Sequence, residues 1–212
     1  MYLSKEAIEH IPNIKRLNII NSVSGIKPGN LIGTTDGFNQ TNLAIISSVV
    51  HLGSNPAFMG FVLRPDEQIR RHTYENICGN GQFTINHIHS SFIDKAHWTS
   101  AKFAKEDSEF IRCGLTEEYL EDFKAPFVKE SMLKIGLILE ESIPIKATNT
   151  LLVVGRIEHL IIPDSAMTEE GYINLDHTDS VGISGLNSYY ALTKLRSFPY
   201  ARIENLPSFG RK

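Results

Sequence analysis

The apolar residues of this chain come in short runs, not in a helical stripe. Leu43–Val50 and Ala57–Leu63 are two β-rich runs joined by the polar turn Gly53-Ser54-Asn55-Pro56. Ala57–Leu63 is continuously apolar, the pattern of a strand covered on both faces. Upstream, Asn30–Thr35 reads as a strand, and Asp36-Gly37 suits a hairpin that returns along Leu43–Val50. Downstream, Gln82–Ile88 alternates through Phe83 and Ile85. Leu133–Glu140, Thr150–Ile162, Tyr172–Leu175 and Val181–Ile183 are further strand candidates. Helical signals are short. Ser4 caps a turn over residues 4–10 whose start carries Glu6. Residues 13–20 fit either a short helix or the lead into a strand. Gln68–Cys78 puts Ile69, Tyr74 and Ile77 at loosely helical spacing, with Gly79 at its end. Thr116–Leu120 looks like a capped turn that Pro126 stops, and Ser188–Leu195 reads as a helix. Residues 89–131 otherwise lack a period, as lids over sites often do.

These connections are too tight for repeated βαβ crossovers. They predict a mainly β fold, an antiparallel sheet closing into a barrel with short peripheral helices. No repeat or linker divides the 212 residues, so a single domain over 1–212 is expected.

Composition narrows the function classes. A net charge of −3 argues against a nucleic-acid binder. No apolar run approaches the roughly 18 residues of a membrane span. The N-terminus lacks the basic and apolar regions of a secretory signal, so a soluble, cytoplasmic protein is expected. Cys78 and Cys113 form no metal-like or CxxC pair and read as reduced thiols. His87 and His89 share one side of a strand, but spacing suggests no third ligand, and no metal is expected. There is no GxSxG elbow and no GxGxxG between a strand and a helix. A dinucleotide, if bound, is held without a Rossmann fold.

The polar residues inside the central runs say more. Ser47 and Ser48 interrupt a run of isoleucine and valine, and buried hydroxyls need partners. Arg64, Arg70, Arg71 and Thr73 form a compact set suited to an anion, since guanidinium pairs with phosphate through two hydrogen bonds. The same residues also read as a solvated basic turn balanced by Asp66 and Glu67, and the two readings stand level.

The order of NLAIISSVVHLGSNPAFMGFVLRP, RHTYENI and GQFTINHI, followed by AHWTSAKF, KAPFVKES, TLLVVGRIEHL and GLNSYY, resembles the flavin reductase-like, FMN-binding split-barrel family. The resemblance covers roughly residues 15–202. It implies a six-stranded antiparallel split β-barrel of Greek-key type, and a homodimer with FMN at its interface. It implies that Asn42, Ser47 and Ser48 contact the ring, ribityl chain or phosphate, and that Arg64, Arg71 and Thr73 hold the phosphate, with Asn86 close by. His97-Trp98-Thr99 falls where a substrate-facing loop is expected, and Trp98 or the Tyr189-Tyr190 pair is placed to stack on a ring. The implied activity is hydride transfer from NAD(P)H to flavin, with a partner oxygenase or redox protein as a potential acceptor. Two rivals remain: an FMN-carrying electron-transfer protein without its own nicotinamide site, and a barrel-shaped binding module without flavin. Because the cofactor carries the chemistry, no catalytic acid or base is required.

Overall fold

The computed structural model describes residues 1–38, 40–64 and 72–209. Two helices open the chain: α1 (Lys5–His10), whose Ala7 amide is capped by Ser4 Oγ, and α2 (Asn13–Val23). The second settles the helix-or-strand alternative in favour of helix. After the two-residue strand β1 (Lys27–Pro28) come β2 (Asn30–Thr35), β3 (Thr41–Ile46), β4 (Val49–Ser54) and β5 (Ala57–Leu63). Helix α3 (His72–Asn80) leads into β6 (Gln82–His87). Short helices α4 (Ile93–Trp98) and α5 (Glu109–Cys113) precede a small ladder of β7 (Glu117–Glu118) and β8 (Phe127–Val128). The long hairpin β9 (Lys134–Ile145) and β10 (Thr150–Ile161) follows, then β11 (Val181–Ser184) and β12 (Ser188–Ala191).

The main sheet runs β3-β2-β6-β9-β10-β5-β4, with every neighbouring pair antiparallel. It has seven strands where six are expected. The difference lies at Ser47-Ser48, where the predicted strand Leu43–Val50 divides into β3 and β4. These two strands stand at opposite ends of the ladder, yet only two residues join them. At about 3.8 Å per residue the link spans little more than 10 Å, so the sheet must roll up to bring its edges together. The core confirms the roll. Ile32 of β2, Val49 of β4, Phe61 of β5, Phe83 of β6, Leu137 of β9 and Val153 of β10 share one cluster, plugged by Ile77 of α3.

A second core lies outside the barrel wall. Leu31 and Leu43 point away from the barrel and pack with Phe92, Phe110, Val181 and Ile183. Elements α4, α5 and β11 thereby cover the β2–β3 side. The opposite wall has no such cover. Register places Val50, Gly60 and Val154 on one outward row and Val62, Leu152 and Ile143 on the next. Val50, Leu52, Ile143 and Ile145 there are 36–44% exposed. Ala57–Leu63, expected to be buried on both faces, is covered on the inner face by Phe61 and Leu63 and only half covered outside.

Three local expectations give way to tertiary pairing. Thr116–Leu120 is no helix: Glu117–Glu118 pairs with β8, and the Thr116 amide and hydroxyl both donate to Glu130. Ser188–Leu195 is no helix: its first half, Ser188–Ala191, forms β12, and pairing with β11 puts Tyr189 onto the outer core. Tyr172–Leu175 contributes one bridge, Met167 to Ile173, and then a 3-10 turn at Leu175–His177. The start of the expected helix Gln68–Cys78 lies outside the described residues. Among the described residues no helix is long and apolar enough to cross a membrane.

Candidate functional site

Of the residues singled out from sequence, Ser47 and Ser48 lie at the split between β3 and β4, Asn42 on β3, Thr73 on α3 and Arg64 just past β5. Asn42 is buried on β3 and donates from Nδ2 to Thr73 Oγ1 at 2.9 Å, joining β3 to the first turn of α3. Its partner hydroxyl keeps a proton to donate, and the α3 N-terminus adds the positive end of its dipole. Asn76, one turn along α3, donates to Thr34 Oγ1 at 3.1 Å. Asn80, one turn further, donates to the Thr35 carbonyl. Thr73, Asn76 and Asn80 are thus a polar stripe at helical spacing, laid against β2 and β3. Sequence reasoning missed Asn76 and Asn80. The signal was present, since this face of α3 alternates them with the buried Ile77.

Ser47 and Ser48 do different things. Ser48 Oγ accepts the Val62 amide at 3.1 Å and donates to the Val62 carbonyl at 2.9 Å, so it stands in for a ladder residue and ties the split to β5. Ser47 is half-buried beside it. Two residues past Val62, Arg64 ends β5 exposed, and its guanidinium donates to Asn21 Oδ1 of α2 at 3.1 Å. Helix α2 therefore reaches the basic end of the site, which no sequence signal announced. Arg71, like Arg70, lies outside the described residues.

Asn86 is not brought to this group as a free side chain. It is fully buried on β6, donates to the Leu31 carbonyl and Thr84 Oγ1, and accepts the Val128 amide at 2.9 Å. Its amide is committed to holding β2, β6 and β8 together. His97-Trp98-Thr99 forms the end of α4 on the covered side. His97 Nδ1 lies 3.0 Å from the Tyr189 hydroxyl, Trp98 is 65% exposed, and Thr99 is buried with its hydroxyl on the Ala96 carbonyl. His87 and His89 go to separate partners: Nδ1 of His87 to Ser180 Oγ, and His89 to Ser91 and Asp179. Burial holds the His87 imidazole down at about 4, so it is neutral at pH 7.

A shallow dent with room for little more than one water lies beside Asn42, His72 and Asn76, lined also by Asp36, Lys105 and Asp107. Apart from that dent, the donors at the α3–β3 contact, the split and the end of β5 are hydroxyls, amides and the Arg64 guanidinium. That chemistry suits a phosphate monoester carried on a polyol chain.

Residues 23–180 match the family model of the flavin reductase like domain, well over half of the chain. The chain belongs to the flavin reductase-like family. A candidate flavin reductase with a split barrel domain from Shewanella frigidimarina is 48% identical, with a TM-score of 0.91 covering 95% of this chain and 100% of that one. Nitrilotriacetate monooxygenase component B from Bacillus cereus shares the fold at 17% identity, with a TM-score of 0.81 covering 93% of this chain and 98% of that one. Flavoredoxin of Desulfovibrio vulgaris does so at 22% identity, with a TM-score of 0.72 covering 84% and 92%. The rolled sheet with its broken β3–β4 junction is accordingly the split barrel of a flavin-binding family.

Proposed function

We propose that the protein is an FMN-dependent oxidoreductase of the flavin reductase type, working as a homodimer and passing hydride from NAD(P)H through flavin to an acceptor. The observation that carries this reading is the junction at the split. Asn42 is bonded to Thr73 at the head of α3, and Ser48 is bonded to the strand that ends in Arg64. These bonds support a reading in which phosphate-holding donors and ring-facing serines share one rim, as the family resemblance implies.

FMN, when bound, supplies the redox chemistry by taking hydride from the reduced nicotinamide and giving it up again. The chain's own task is to bind and orient. Thr73, the α3 N-terminus, Arg64 and Arg71 hold the phosphate dianion by charge-assisted hydrogen bonds. Asn42 keeps the Thr73 hydroxyl turned to donate. Ser47 and the backbone at Ser48 line the ring and ribityl chain. Asn86 contributes by fixing β6, not by direct contact. No side chain need take or give a proton, because the cofactor carries the chemistry.

The dimer reading draws on the uncovered barrel wall. A strand apolar on both faces calls for cover on both, and one chain covers only the inner face of β5. A second copy placed on this wall would bury Val50, Leu52 and Ile143 next to the split. Similarity to a monooxygenase component B fits a partner oxygenase as acceptor. Similarity to flavoredoxin fits the alternative, an electron carrier without a nicotinamide site. Anaerobic mixing of the FMN-loaded protein with NADH and with NADPH decides between them. Bleaching of the flavin bands by either donor within seconds is expected, and failure with both leaves the electron-carrier reading. A purified chain that takes up no FMN at all sinks both.

A further inference from the structure

Past β12, one backbone hydrogen bond among the described residues ties the chain back to the body. The Lys194 amide donates to the Asp176 carboxylate at 3.1 Å. Among the described residues, the backbone hydrogen bonds from Leu195 to Phe209 stay within the segment: Asn205 to Arg202, Leu206 to Ile203 and Phe209 to Pro207. At its root this arm stands off residues 168–176 across an open cleft of about 930 Å³, walled by Tyr172, Leu175, Leu192 and Phe198. Leu195, Phe198, Tyr200, Ile203, Leu206 and Phe209 are each 69–95% exposed. A solvated tail is poor in such residues, because it has nothing to bury them against.

We propose that the arm Leu195–Phe209 crosses onto a second copy of the chain and straps the dimer, each copy giving and receiving one arm. The inference rests on the dimeric reading above. Reach allows it: fifteen extended residues span up to about 50 Å, against a radius of gyration of about 17 Å for a domain of this length. Area favours it. Six large side chains at roughly 150 Å² each cover on the order of 900 Å² per arm. Two reciprocal arms therefore reach the roughly 1,600 Å² that a standard stable interface buries. Charge points the same way. Lys194 and Arg196 stand beside an Arg202–Glu204 pair on the arm, whereas the β9–β10 hairpin along the uncovered wall carries Glu140, Glu141 and Glu158 against Arg156 and Lys146. One chain carries both the apolar arm and the apolar wall, so a two-fold axis would match each to its complement twice.

The test compares the full chain with Phe198→Ser/Tyr200→Ser/Ile203→Ser and with a chain ending at Ala191, each with and without FMN, by sedimentation velocity over a dilution series. The three side chains touch little of their own subunit, so circular dichroism should be unchanged. The dimer dissociation constant should rise at least 100-fold in both variants. Dimers as tight as those of the full chain, or a full chain that is monomeric throughout the micromolar range, would overturn the proposal. The two readings can fail separately. An arm-dependent dimer that binds no FMN removes the reductase reading and keeps the strap. An FMN-reducing dimer indifferent to the arm does the reverse.

Discussion

At the scale of single residues, the rim is a division of labour among hydroxyls and amides. Thr73 accepts from Asn42 and has one proton left, which is what a phosphate oxygen needs. Thr73→Ala and Arg71→Ala should each remove a charge-assisted bond worth about 1.5–3 kcal/mol. FMN affinity, followed by quenching of flavin fluorescence, should fall roughly 10- to 150-fold in each with the fold intact. Unchanged affinity would move the phosphate elsewhere. His87 is a different kind of residue, set at the partly buried end of β6 and kept neutral. Its folded pKa of about 4 lies below the ordinary 6.5. Its contribution to stability is therefore complete above pH 6.5 and is lost as pH falls towards 4, because the unfolded chain takes up a proton that the folded one refuses. Unfolding free energy should drop by on the order of 1–2 kcal/mol between pH 7 and pH 5 on this account. His87→Gln should flatten that part of the profile in denaturant titrations at the two pH values, and an equally steep variant would rule the histidine out.

At the scale of elements, the split is a junction that has lost its ladder and is held by one side chain. Ser48 Oγ takes both backbone groups of Val62, so it does for β4 and β5 what a paired residue would otherwise do. Ser48→Ala leaves the Val62 amide unsatisfied in a half-buried position and should cost about 1–3 kcal/mol. The loss should appear as a lower midpoint in chemical unfolding. It should also appear as faster amide exchange at Val62, the readout that separates local loosening from a general loss of packing. No change at Val62 would mean that the strand ladder alone carries the junction. Helix α3 is the counterpart on the other side. Its polar stripe satisfies Thr34, Thr35 and Asn42 while Ile77 fills the end of the barrel, so one helix serves both core and site.

At the scale of the whole molecule, the asymmetry of the barrel wall is the main fact. The β2–β3 side is covered by α4, α5 and the β11–β12 pair, and the β4–β5–β10 side is bare and apolar. Bare apolar faces of this kind mark association sites. Light scattering should report a dimer whose mass does not change with concentration in the micromolar range. A monomer that still binds FMN at full affinity would contradict a site completed by a second copy.

The strand pattern was legible in the sequence wherever period and turn chemistry agreed: the Asp36-Gly37 hairpin, β5, β6 and the β9–β10 pair. So were the candidate rim residues, because serines within an isoleucine-valine run and a threonine beside arginines are chemically conspicuous. Local signals failed at Thr116–Leu120 and Ser188–Leu195, where pairing with a strand only 4 to 11 positions away outweighs helix propensity. They failed again at Asn86. An asparagine among strand residues looks available for a ligand until the backbone groups of Leu31 and Val128 are seen to occupy it. The sequence by itself determined which residues alternate, turn and carry donors, since those are properties of neighbours along the chain. Only the tertiary structure decided that Leu43–Val50 breaks at its serines, that the broken ends lie at opposite edges of one sheet, and that Asn42 meets Thr73. Those outcomes depend on burial and on hydrogen-bond partners 14 to 31 positions away, where no local pattern reaches.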